Sequence, residues 1–186
     1  MKSLRVTLAI ITALSIMMSC GGDDLIKLND NLTGEWTAIS FSADISSEVG
    51  SGADMTATQT NVAGSNFDYN LTFTENDWNT SGGYDTEISI ISSEFNTAPI
   101  TASKKGITGT GSYVTENDSI IIKGSMFEYD MSSMGMTSIN NEDQTATYNI
   151  NSDGELILTH DETTTTSMNG ISINTSIKST STWVRK

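Results

Sequence analysis

The chain is poor in several residue types that would otherwise suggest a mechanism. Of 186 residues, one is Cys, one is Pro and one is His. A single Cys cannot pair within its own chain, so an intramolecular disulfide framework is excluded. Lys and Arg number nine against 23 Asp and Glu, a formal net charge of −14. That balance speaks against nucleic acid as a partner, because phosphate binding needs counter-charge. The 15 Gly have no period of three, which excludes a collagen-like chain. With Pro99 the sole proline, Gly, Asn and Asp must make the turns. Catalytic signatures are also scarce. His160 is followed by Asp161 and Glu162, but neighbours on a strand point to opposite faces. It is expected to be an exposed strand-end His rather than a general base. No Gly-x-Ser-x-Gly turn occurs. Glu75, Asp77, Glu116 and Asp118 fall on predicted turns, where a solvated role is expected rather than glycoside chemistry. No acidic turn has the spacing of a calcium loop. The expectation is a protein that is not an enzyme and carries no cofactor.

The amino terminus is present in a recognisable order. Lys2 and Arg5 precede an apolar run from Val6 to Met18. At 13 residues the run is short of the ~20 needed to cross a bilayer as a helix. A basic start, a short apolar stretch and a small residue before a cut form the pattern of a signal peptide. Here the small residue is Ser19 and the next is Cys20. Ile16-Met17-Met18-Ser19-Cys20 resembles the lipobox of bacterial lipoproteins, although the commonest lipobox has Leu three places before the Cys. The resemblance implies cleavage before Cys20 and acylation of its thiol and amino group. Residues 1–19 would be removed, and the acyl chains on Cys20 would anchor the chain to the outer membrane of the cell envelope. The alternative is an ordinary signal peptide with an incidental Cys, which would leave a reactive thiol in an exported protein. Cleavage leaves seven bases against 23 acids, a charge of −16. Such a surface is repelled by anionic head groups, so the lipid rather than the domain would hold the membrane. Residues 20–31 then read as the lipidated Cys and a hydrated tether, spanning roughly 18 Å if Gly-like. Acidic Asp23 and Asp24 are compatible either with a plain spacer or with display at the outer surface.

Residues 32–186 read as one all-β domain. Phe67, Tyr69, Leu71 and Phe73 alternate with polar residues, as do Ala146, Tyr148 and Ile150. Ile171, Ile173, Thr175, Ile177, Ser179, Ser181 and Trp183 share one face. The 27 Thr and 26 Ser supply residues suited to exposed pleated surface. Thr-Glu-Asn-Asp occurs at 74–77 and again at 115–118, and Asn151-Ser152-Asp153-Gly154 separates two further runs. Each is a hairpin signal. Strands are predicted at 33–45, 54–62, 66–74, 83–92, 107–114, 119–131, 144–151, 154–165 and 170–184. The links are expected at 46–53, 93–106 and 132–143. An antiparallel meander of eight to ten strands follows, closed as a barrel or folded as a β-sandwich. About a third of the mature residues are apolar, enough for one modest core.

Leu32-Thr33-Gly34-Glu35-Trp36 is similar to the Gly-x-Trp opening strand of lipocalins and of lipocalin-like bacterial lipoproteins. Gly111-Ser112-Tyr113-Val114 with Asp118-Ser119-Ile120, and Thr147-Tyr148-Asn149-Ile150 with Gly154-Glu155-Leu156, look like later hairpins of that family. The resemblance implies a lipocalin-like barrel holding a small apolar ligand. It further implies that Trp36 closes the barrel floor with Gly34 beside it and Arg185 packed on its indole. Ligand-lining candidates are Tyr69, Leu71, Phe73, Tyr113, Tyr148, Ile150 and Leu158. The alternative is a structural or interaction module displayed at the surface, with no cavity. Met131, Met134 and Met136 add a minor alternative, since three thioethers on one loop suit Cu(I); the bland equivalent is flexible packing. No other metal site is expected, and the domain is expected to be a monomer.

Overall fold

Period-two alternation interrupted by short Asn, Asp and Gly turns folds the described residues into eight antiparallel strands. The computed structural model describes residues 31–51, 54–92, 98–124, 126–127, 143–168 and 171–186. Their strands are β1 (Gly34–Ser51), β2 (Asp54–Phe73), β3 (Asp77–Ser92), β4 (Ile100–Glu116), β5 (Ser119–Lys123), β6 (Asp143–Ile150), β7 (Leu156–Met168) and β8 (Ile171–Arg185). Each pairs with the next, and β1 also pairs with β8 from Trp36↔Arg185 to Gly50↔Ser172. That last ladder closes a barrel and rules out the β-sandwich. Closure leaves no strand without two neighbours in the ring, which removes the open edge of a Thr-rich meander.

The predicted hairpins are where the sequence placed them. Residues 74–76 join β2 to β3, 117–118 join β4 to β5, and 151–155 join β6 to β7. Asn117 takes a left-handed φ of 57° and Gly154 one of 80°, conformations that Asn and Gly adopt at little cost. Asn151 Oδ1 accepts the backbone N–H groups of Asp153 and Glu155, an Asx-type turn.

Several strand boundaries differ from the sequence prediction. Segments 54–62 and 66–74 form the single strand β2, because a bulge between Ser65 and Asp68 absorbs the change of phase. Residues 46–51, expected as a link, continue β1 and pair with Asp54–Gln59. Exposure on both faces there erases the alternation that would have announced a strand. β4 begins at Ile100 instead of 107. β5 stops at Lys123 instead of 131, where Gly124 turns the backbone to a φ of 95°. The Met131, Met134 and Met136 loop lies outside the described residues, as do Cys20 and the whole predicted leader.

The core gathers at the end of the barrel carrying these three turns. Trp36, Trp183, Leu32, Leu71, Ile120 and Leu156 have no exposed surface. Phe73 meets Tyr113 edge-on, with centroids 4.8 Å apart. Trp78 is 2% exposed and lies against Gly109, Gly111 and Gly124. A Cβ on Gly111 would stand 2.8 Å from Trp78 Nε1 and 2.1 Å from the Lys123 carbonyl. The opposite end is built from the extended β1–β2 and β7–β8 ribbons. There, residues 161–167 are exposed throughout.

Candidate functional site

The barrel interior is mostly filled, and one residue from outside the wall does much of the filling. Phe127 follows β5 and is 8% exposed. Its ring stacks on Phe41 at 4.2 Å and meets Tyr69, Tyr84 and Trp183 at 5.5, 5.5 and 5.3 Å. Tyr69 anchors the same turn by donating its hydroxyl to the Met126 carbonyl. Aromatic clusters of this geometry add about 0.5–1.5 kcal/mol per pair beyond burial. Phe127 therefore occupies the space that a ligand would take in an emptier barrel.

Beside that ring a cavity of about 70 Å³ remains. Phe41, Ile122, Met126, Phe127, Leu158 and Ile177 form its apolar walls. A polar stripe crosses the other wall through Gln144 on β6, His160 on β7, and Ser179 and Ser181 on β8. The ladders explain the stripe: His160 pairs with Ser179, Leu158 with Ser181, and Ala146 with His160. Ser181 is already an acceptor, taking the Trp183 indole N–H at 2.9 Å.

His160 departs from its predicted place at an exposed strand end. Its side chain is 13% exposed and faces the cavity. Nδ1 lies 2.8 Å from the Thr145 carbonyl oxygen, and Nε2 lies 3.2 Å from Glu162 Oε2. That approach is not aligned as a hydrogen bond, and Nε2 is buried without one among the described residues. Asp161 diverges to the outside, as its position on the strand requires, and reaches Lys178 at 3.4 Å.

The ligand-lining candidates are spread over four places. Leu158 is on the cavity wall. Tyr69, Leu71 and Phe73 are in the packed interior. Tyr113 and Tyr148 close the turn-bearing end, donating their hydroxyls to the Thr74 and Asn117 carbonyls at 2.7 and 3.0 Å. Burial holds the Tyr113 phenol above the usual tyrosine value, with the Asp77 and Tyr148 charges adding to that and a Thr33 hydrogen bond opposing it. Ile150 lies with Trp36 and Arg185 around an open cleft beneath the barrel.

The floor candidates meet. Arg185 stands over the Trp36 ring, its guanidinium carbon 4.4 Å from the centroid, in a cation–π contact. It also donates to the Thr33 and Asn31 carbonyls. Trp36 Nε1 donates to the Leu32 carbonyl at 2.8 Å. Gly34, at a φ of 131°, brings its backbone under the guanidinium, where a Cβ would come within 2.8 Å of Nη1.

Sequence reasoning missed a row of bulges on the outer wall. β2 shifts register between Ser65 and Asp68, and β3 between Gly82 and Tyr84. Asn66, Gly82 and Gly106 all have positive φ there. Asp68, Asp85, Lys104 and Lys105 line the resulting open dent. Hydrogen bonds from Ser103 and then Asn66 hold the Asp85 carboxyl below the usual range, and Lys105 adds to this. The signal available was Gly82-Gly83 inside an alternating run, which marks a bulge or close backbone approach.

This arrangement can hold an apolar group against aromatic rings and present a polar atom to His160. The fold is an eight-stranded antiparallel meander barrel, compatible with a lipocalin-like barrel. Comparison with protein-family models, curated proteins and solved structures finds no match to this chain.

Proposed function

We propose that this is a lipid-anchored protein of the cell envelope whose barrel binds a small apolar molecule without chemical change. The observation that carries the binding part is the cavity beside Phe127, apolar on one side and crossed by one polar stripe on the other. Ligand sites commonly pair an apolar lining with a few convergent polar groups. Size restricts the ligand. Drug-sized pockets enclose about 300–1,000 Å³, whereas about 70 Å³ takes only a few heavy atoms. A slender chain or the tip of a larger molecule fits, and anything broader has to displace Phe127.

The anchor rests on Ser19-Cys20 at the end of a short apolar run behind Lys2 and Arg5. Mass spectrometry of the mature amino-terminal peptide is expected to show acylated Cys20. An intact Met1 or an unmodified Cys20 removes the anchor.

The ligand is tested by titrating the soluble domain with the uncharged dye N-phenyl-1-naphthylamine. Phe127→Ala is expected to bind the dye more tightly than the parent domain, because it deletes the ring that occupies the interior. No binding by either protein, together with no ligand co-purifying in native mass spectrometry, favours the second reading. That reading is a displayed interaction module, and the filled interior around Phe127 and Trp183 supports it.

A further inference from the structure

From the polar stripe we infer the head group of the ligand: an uncharged hydroxyl that donates a hydrogen bond to His160 Nε2, so that the ligand is an aliphatic alcohol and not a fatty acid. This rests on the ligand-binding reading above. A carbonyl oxygen only accepts, so the contact between Nδ1 and the Thr145 oxygen at 2.8 Å requires the proton to sit on Nδ1. In the neutral ring the lone pair is then on Nε2. That atom is buried, belongs to a ring that lines the cavity, and has no aligned hydrogen bond among the described residues. Its near neighbour, Glu162 Oε2 at 3.2 Å, is an acceptor as well. Two acceptors converge where a donor is wanted, and the protein's described side chains supply none in line.

The surrounding acids exclude an anionic head group, and the apolar walls make a buried ammonium costly in lost hydration. Glu162 and Asp161 flank His160, and the chain carries −14 overall. Lys178, the base paired across from Asp161, is engaged with it at 3.4 Å on the outer face. A carboxylate would be drawn into a site that already holds one. A hydroxyl donates to Nε2 without adding charge, and the Ser179 hydroxyl on the paired strand can donate to the same oxygen. The first carbons behind the hydroxyl lie along Ile122, Leu158 and Phe127, and the rest of a longer chain extends out of the cavity.

The test uses 1-octanol, octanoate and octylammonium, titrated into the domain by calorimetry at a pH where ring ¹⁵N spectra show one nitrogen of His160 unprotonated. Octanol is expected to bind at least tenfold more tightly than either charged probe. His160→Leu is expected to lose the preference. The chain has one His, so ring ¹⁵N spectra give an independent readout in the unmutated protein. Octanol is expected to move the unprotonated nitrogen upfield, as an accepted hydrogen bond does. Octanoate or octylammonium binding as tightly as octanol overturns the inference and leaves the binding reading intact. So does naphthylamine binding without octanol, an unmoved ¹⁵N resonance, or undiminished octanol affinity in a folded His160→Leu. Failure of every probe, the dye included, overturns both.

Discussion

The two ends of this barrel are made of the same strands and held by different physics. On β8, Trp183 is fully buried and Ile177 is 7% exposed, yet Ile171 on the same face is 46% exposed. The face that sequence periodicity assigns to the interior thus runs from a packed core out into solvent. At the turn-bearing end three Trp, Tyr69 and Phe73 are each 2% exposed or less. At the other end the β7–β8 ribbon carries side-chain pairs such as Thr165 with Asn174 at 3.0 Å and Thr163 with Ser176 at 3.4 Å. Burial of a large side chain stabilises by about 1.5–3 kcal/mol, while an exposed cross-strand pair adds about 0.2–1 kcal/mol. Backbone pairing continues across both regions. Hydrophobic burial does not, and the cavity lies where it begins to thin.

The largest effect is expected from Trp183→Ala. The indole touches Tyr69 and Phe127 and donates to Ser181, so its loss removes packing from several strands at once. A cost of about 3–5 kcal/mol is expected in urea unfolding. A cost below about 1 kcal/mol would break the contrast, because it would mean that the aromatic end is not where stability resides.

Gly111→Ala tests the same end by adding rather than removing atoms. Its methyl group would push on the Lys123 carbonyl and the Trp78 indole. Overpacking of this kind costs about 1–3 kcal/mol. Gly154→Ala is the matched control for crowding, since a Cβ there meets nothing within 4 Å; only its φ of 80° opposes the change. Gly111→Ala should lower the urea midpoint more.

Tyr113→Phe is smaller again. It removes the hydroxyl donated to the Thr74 carbonyl and should cost about 1 kcal/mol near neutral pH. The pH dependence sharpens the point. Burial raises the Tyr113 value in the folded state, so the folded protein holds this proton more tightly than the unfolded chain. Its contribution is complete below the ordinary tyrosine value of about 10 and is lost as pH rises through the higher folded value. Unfolding midpoints measured across about pH 9–11 should fall more steeply for the parent domain than for Tyr113→Phe.

The features written plainly in the sequence were those set by local chemistry. Thr-Glu-Asn-Asp at 74–77 and 115–118 marked two turns because Asn and Asp make them without tertiary help. Gly34, Trp36 and Arg185 were legible as a group only through a family resemblance, since 149 residues separate Trp36 from Arg185 in the chain; the β1–β8 ladder pairs them directly. The bulges were hidden because one inserted residue reverses the facing of everything beyond it. In β1 the buried positions pass from Trp36 and Ala38 to Phe41 and Ala43 across such a shift. Phe127 was hidden for a different reason: it packs inside a barrel whose wall it does not join, and no period reports that. His160 was expected to be exposed because charged residues follow it, but it shares the inward face of β7 with Leu156 and Leu158.

The smallest prediction is the one most able to separate backbone pairing from packing. Thr165 is exposed, and its hydroxyl donates to Asn174 across the β7–β8 ladder. Thr165→Ala should change stability by no more than about 0.5 kcal/mol, the range of ordinary surface substitutions. Thr165→Pro changes the backbone instead, deleting an N–H from a strand that pairs with β8 at Asn174. Amide hydrogen exchange is expected to rise in both variants only near 161–168 and 171–178, with protection around Leu71, Ile120 and Leu156 unchanged. Loss of protection at those buried positions would show that the two ends fold as one unit, and the ribbon would then belong to the core despite its exposure.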